Sequence, residues 1–118
     1  MGDDALPRIK GYHAHVYFDA ASLEQARALC EAAARRFPLK MGRLHERPVG
    51  PHPDWSCQLA FRPELFGELL PWLLQHRGGL NVLVHPITGD ELRDHRDWAL
   101  WLGQSRPLDL SVLDADPD

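Results

Sequence analysis

Seven histidines in 118 residues are the side chains best suited to chemistry near neutral pH. Imidazole titrates close to neutrality, and its neutral form binds divalent transition metals. Two or three imidazoles with a carboxylate leave positions on such an ion for dioxygen and a chelating substrate. His13 and His15 stand two residues apart in Gly11-Tyr-His-Ala-His-Val-Tyr-Phe-Asp19. On a strand both project to one side, about 7 Å apart at ~3.3 Å rise per residue, which permits shared chelation. His85 ends the apolar run Leu80-Asn-Val-Leu-Val-His85, His52 lies in Pro48-Val-Gly-Pro-His-Pro-Asp54, and His95 follows Asp94. Asp90, Asp94 or Asp97 could add an oxygen ligand or hold an imidazole in one tautomer. His45, among Arg43, Glu46 and Arg47, and His76, ending a helix beside Arg77, read as solvated. A lone strand histidine is more often a surface or hydrogen-bonded residue than a ligand, so the case for a site rests on convergence.

The elements that must produce this convergence follow from changes of hydrophobic period. Residues 10–18 alternate, with Tyr12, Ala14, Val16 and Phe18 on one side and His13, His15 and Tyr17 on the other. A helix follows, with Ser22 as N-cap and an apolar stripe of Leu23, Ala26, Leu29, Cys30, Ala33 and Phe37, ended by Pro38. Residues 39–47 read as an edge strand, and the proline-rich segment 48–54 as a stiff loop. Residues 55–61 alternate again. Pro63 opens a second helix striped by Leu65, Phe66, Leu69, Leu70, Leu73 and Leu74, with a kink expected at Pro71 and a stop at Gly78-Gly79. Residues 80–85 form a last strand, with Val82 and Val84 opposite Asn81, Leu83 and His85.

The order β-α-β-β-α-β predicts an α+β ferredoxin-like fold, an antiparallel sheet with two helices on one face. His13, His15, Tyr17, Asn81, Leu83 and His85 would share the open face. Strand four would run antiparallel to strand one and bring His85 beside His13. His52 enters toward the other end of the sheet, a difficulty relieved if it meets His15 or if a second chain's loop covers the face. The tail from 86 to about 102, with Thr88-Gly-Asp as a turn and Leu92, Trp98, Ala99, Leu100 and Trp101 as an apolar group, should cover part of that face or a partner's and could deliver His95. Residues 109–118 hold four aspartates and are expected to fray.

Composition bounds the rest. The chain fits one domain, 1–118 with a core about 9–110, and a net charge of −4 disfavours nucleic acid as a partner. No stretch approaches the ~20 apolar residues of a membrane span, and no signal peptide is apparent. Cys30 and Cys57 read as inert buried thiols, so a cytoplasmic location is expected. A domain of this size buries roughly two-thirds of its unfolded surface, which leaves little to enclose a substrate and favours dimerisation.

The segments 11–19, Val49-Gly-Pro-His-Pro53, Leu80-Asn-Val-Leu-Val-His-Pro86, Asp94-His95 and Ala99-Leu-Trp-Leu-Gly103 together resemble the DOPA 4,5-dioxygenase family, over about 9–110. The resemblance implies a small ferredoxin-like protein, commonly a homodimer, that cleaves the ring of L-DOPA or a related catechol in extradiol fashion with dioxygen at non-haem iron(II). It needs no organic cofactor. Carried over by motif, the functional histidines are His13, His15, His52, His85 and His95. Within that set, the expectation is metal at His13, His52 and His85, with His15 or His95 as acid and base. Arg43, Arg93 or Arg96 could pair with a substrate carboxylate, and Trp98 and Trp101 could wall an aromatic ring. Two rivals are a zinc-dependent hydrolase or isomerase of the same fold and a non-catalytic dimeric small-molecule-binding module. Metal identity and oxygen uptake separate the first, and absence of metal binding the second.

Overall fold

Alternation of apolar and polar side chains makes β1 (Gly11–Phe18) a strand with two unlike faces. It lies at the centre of a five-stranded antiparallel sheet, in a structure that is a computed structural model describing residues 6–113. β3 (Trp55–Phe61) pairs with one edge of β1 and β4 (Val82–Ile87) with the other, while β2 (Lys40–His45) and β5 (Leu100–Leu102) form the outer strands, giving β2-β3-β1-β4-β5. The two main helices are α1 (Leu23–Arg36) and α2 (Phe66–His76). The expected α+β class, with an antiparallel sheet and two main helices, is the one observed.

One face of the sheet makes the core. Ala14, Val16, Phe18, Cys57, Leu59, Phe61, Val82 and Val84 pack with Ala26, Leu29, Cys30, Ala33, Leu69 and Leu73 of the helices. Both cysteines are free and buried there. Because side chains alternate across a strand, filling this face turns His13, His15 and Tyr17 to the opposite one.

The chain departs from the sequence reading at three places. Ser22 holds the expected N-cap position of α1 but makes no side-chain capping bond to it, and the capping box forms one turn earlier, at Asp19. Its carboxylate accepts from the Ser22 amide while the Ser22 hydroxyl accepts from the Asp19 amide, both at 3.0 Å, across a single 3-10 turn at Ala20–Ser22. At the far end Phe37 is extended (φ −126°, ψ 149°), as the residue before a proline must be. β4 begins two residues later than the alternation suggests. Leu80 closes a turn to Arg77, and the Asn81 side chain accepts from the Gln104 amide at 2.9 Å. The apolar tail becomes an added helix, α3 (Glu91–Arg96), and an added strand, β5, which pairs with β4. Within the segment 109–118, Leu110–Leu113 form a 3-10 turn that packs near α3 and buries Leu113. Residues 114–118 lie outside the described residues. No helix among the described residues is long and apolar enough to cross a membrane.

Candidate functional site

The register of β1 and β4 sets the site. His13 lies opposite His85, and His15 opposite Leu83 on β4 and Gln58 on β3. The ring centroids are 5.2 Å apart for His13 and His85, 5.6 Å for His13 and His15, and 5.1 Å for His15 and His85. One nitrogen from each of the three lies within 4.8 Å of the others, a group that could hold a metal ion. His85 donates its Nδ1–H to the Pro86 carbonyl at 2.9 Å, since a carbonyl only accepts, and this leaves a lone pair on Nε2. That lone pair faces His15 Nε2 at 3.0 Å. Without metal, a proton on His15 Nε2 satisfies the contact, and a cation can take that proton's place. Two imidazole nitrogens ~2.1 Å from one ion and about a right angle apart are themselves ~3.0 Å apart, so the donor set fits a divalent transition metal.

Two more histidines close over this group. His95, on α3, packs its ring 3.9 Å from that of His85 and donates Nδ1–H to the Glu91 carbonyl at 2.7 Å. α3 is placed by Asp94, which is 2% exposed and accepts from both the amide and the hydroxyl of Thr88, at 3.0 and 2.6 Å. Asp90 caps the same helix by accepting from the Arg93 amide. His52 comes from the proline-rich loop, its ring 4.1 Å from His15 and its Nδ1 2.7 Å from the Tyr17 hydroxyl. The loop is tied down from the tail: the Asp109 amide donates to the Pro51 carbonyl at 2.9 Å, and Arg106 forks onto Asp54 at 2.8 and 3.1 Å. His52 thus reaches the cluster through His15, and a single chain brings five histidines together. A cavity of about 290 Å³ adjoins four of them, lined by His13, His15, His85 and His95 with Pro51, Gln58 and Glu91 among others.

The comparisons with known proteins decide the family. A model of the Dopa 4,5-dioxygenase family matches residues 12–112. The chain belongs to this family. A crystal structure of a candidate dioxygenase from Nostoc punctiforme superposes with a TM-score of 0.87 at 47% identity, over 89% of this chain and 91% of that one. An uncharacterized 21.2 kDa protein of Botryotinia fuckeliana is 42% identical over 114 residues, covering 86% of this chain and 62% of that protein. A DOPA 4,5-dioxygenase of Amanita muscaria is 36% identical over 119 residues, covering 93% of this chain and 52% of that enzyme. The chain therefore spans about half to three-fifths of the length of these curated relatives.

All five clustered histidines fall inside the stretch matched by the Dopa 4,5-dioxygenase family. Burial is the main force on their protonation. It holds His15 well below the usual imidazole range, His85 down at about 3 and His52 at about 4, with neighbouring histidines adding to the effect. His13, half-buried, is lowered by burial and by His95, against the pull of Glu91. Neutral imidazole, the form that binds metal, is thus favoured at neutral pH. Tyr17 stays a phenol, its acidity suppressed by burial and by the Asp54 carboxylate.

Other expected residues lie elsewhere in this family member. His76 is exposed and stacks on Trp72, and His45 sits on the edge strand β2. Arg93 covers Trp98 at 4.4 Å and pairs with Asp90, Arg96 pairs with Asp97, and Arg43 is on β2. Trp98 lines a second, apolar cavity of about 380 Å³ that also borders His85, with Tyr12, Phe66, Val84 and Leu100, whereas Trp101 packs edge-on against Tyr17 at 5.7 Å. Gln58, Glu91 and Tyr17 were not singled out by sequence reasoning as site residues. Tyr17 could have been, since alternation already put it on the open face, and the alternation of residues 55–61 turns Gln58, opposite His15, the same way.

Proposed function

We propose that this chain is an iron(II)-dependent extradiol dioxygenase that opens the ring of a catechol such as L-DOPA, with the metal held by His13, His15 and His85. The observation that carries the reading is the 3.0 Å approach of the His15 and His85 Nε2 atoms, with a His13 nitrogen within 4.8 Å of both. The sequence-based expectation gave the third ligand position to His52. Nitrogen positions favour His15 there, while His13 and His85 keep their expected role and His95 keeps that of acid and base. When bound, iron(II) supplies a Lewis-acidic, redox-active centre for a catechol and dioxygen.

The remaining chemistry belongs to the chain. The Pro86 carbonyl orients His85, as a hydrogen-bonded outer partner does for a metal-binding imidazole. His95 has its Nδ1–H committed to the Glu91 carbonyl, so its Nε2 is a lone-pair base for a catechol hydroxyl in the adjoining cavity. Gln58 and Glu91 offer polar contacts to the substituent of the ring, and Glu91 would favour one that carries an ammonium group. A ferredoxin-like plan extended by β5, and a cytoplasmic homodimer, complete the proposal. The dimer would cover the exposed Leu6, Ile9 and Leu100 around the apolar cavity.

Anaerobic loading of metal-free protein with iron(II), followed by L-DOPA and oxygen, tests the reading. The expected result is a ring-opened product with one dioxygen consumed per catechol. Zinc-dependent turnover without oxygen uptake, or bound iron with no turnover of any simple catechol, would refute it.

A further inference from the structure

We infer that Tyr17 fixes the tautomer of His52, so that this histidine carries its proton on Nε2 and stands outside the group of nitrogens that could hold a metal. Three clustered histidines use Nδ1 to bond to the protein, and they do so with two kinds of partner. His85 and His95 meet backbone carbonyls, at Pro86 and Glu91. A carbonyl accepts only, so both carry the proton on Nδ1 and keep a lone pair on Nε2. His52 instead meets a phenol, the Tyr17 hydroxyl, at 2.7 Å.

A phenol can donate or accept, and its surroundings decide which. Tyr17 is 3% exposed, and among the described residues its hydroxyl has His52 Nδ1 as its hydrogen-bond partner. If Nδ1–H donated to the phenol oxygen, the buried O–H would have no acceptor among the described residues, so the phenol donates. Neutral imidazole has one N–H, which then lies on Nε2. The two nitrogens point nearly opposite ways around the ring, so this N–H is turned from Tyr17.

The contact is rigidly built on both sides. The Tyr17 amide donates to the Asn81 carbonyl at 2.9 Å, and its ring packs on Trp101. The His52 loop is pinned through Pro51 and Asp54. His95 and His52, with ring centroids 6.5 Å apart, thereby offer complementary groups: a lone pair from one and an N–H from the other. Resting on the dioxygenase reading, His52 serves as a hydrogen-bond donor beside His15 and His95 and not as an iron ligand. The tautomer itself does not depend on that reading. Tyr17 is a positioning residue in either case.

Long-range proton–nitrogen NMR of metal-free, 15N-histidine-labelled protein at pH 7.5 reads the tautomers directly. We expect Nε2–H for His52 and Nδ1–H for His85 and His95. Tyr17→Phe, which keeps the ring and its packing, should move His52 away from the Nε2–H form while leaving His85 and His95 unchanged. On titration with zinc, chosen because it is diamagnetic, His52 should keep its Nε2–H signal while His13, His15 and His85 shift. His52→Gln, which retains a donor, should change zinc affinity less than about threefold, whereas His85→Ala should lower it by more than about 100-fold. An Nδ1–H tautomer for His52, loss of its Nε2–H on zinc binding, or a loss of tenfold or more in zinc affinity in His52→Gln would overturn the inference. Failure to turn over a catechol would strike the dioxygenase reading alone.

Discussion

Acidifying the metal-free protein from pH 7.5 to 5 should lower its unfolding free energy by about 2–4 kcal/mol. Burial holds His85 at about 3 and His52 at about 4 in the folded chain, against 6.5 for an ordinary imidazole. A base with a lowered folded value is most stabilising when both states are neutral, above 6.5. That stability is lost as pH falls from there toward the folded values, because the unfolded chain takes up protons the folded one refuses. Each such histidine contributes about 1.4 kcal/mol per pH unit, hence about 2 kcal/mol over the 1.5 units from 6.5 to 5. The pair gives about 4 kcal/mol, and halving this for the part of each shift that comes from neighbouring histidines sets the lower bound. His13 and His15 act in the same direction. The lowered carboxyls of Asp19 and Asp97 start from 3.8, so their loss falls below pH 5 and does not confuse the result. Urea unfolding of chelator-treated protein at several pH values measures the change, with a midpoint drop of roughly 1–2 M expected. A flat profile from 7.5 to 5, or an equal slope after His52→Gln and His85→Gln are combined, would refute the account. Zinc-loaded protein should start more stable and lose more on acidification, since protons then compete with metal as well.

Asp94→Ala removes the acceptor that ties α3 to Thr88, and should cost about 2–3 kcal/mol of stability while lowering kcat with bound metal retained, as checked by melting, metal analysis and turnover. Leu59→Ala truncates a fully buried core leucine and should cost about 2–5 kcal/mol in chemical denaturation without altering metal stoichiometry. His76→Ala, at an exposed position stacked on Trp72, should leave zinc affinity unchanged in a competition titration.

Much of the site is legible in the sequence because strand alternation is a local signal. Tyr12, Ala14, Val16 and Phe18 declare one face of β1, and the antiparallel return of β4 puts His85 opposite His13. The rest depends on contacts distant in sequence. β5 is three residues long, too short for any period to show. The path of His52 toward His15 is set by the bond from Asp109 to Pro51 and by Arg106 on Asp54, partners more than fifty positions away. The capping box at Asp19 was missed for a different reason: Ser22 does hold the N-cap position of α1, and the single 3-10 turn before it is too short to show in the hydrophobic period.

The placement of the histidines on β1 also bears on how the sheet finds its alignment. A slip of one residue against β3 and β4 would exchange the two faces, driving His13, His15 and Tyr17 beneath the helices and pushing Ala14, Val16 and Phe18 into water. Imidazoles and a phenol set among Leu69, Leu73 and Val82 would lose their hydrogen-bond partners, so the misaligned sheet is strongly disfavoured. The side chains kept for chemistry therefore also act during folding as a check on strand alignment, and a chain with all of them replaced by apolar residues should fold with less fidelity even if it folds more stably.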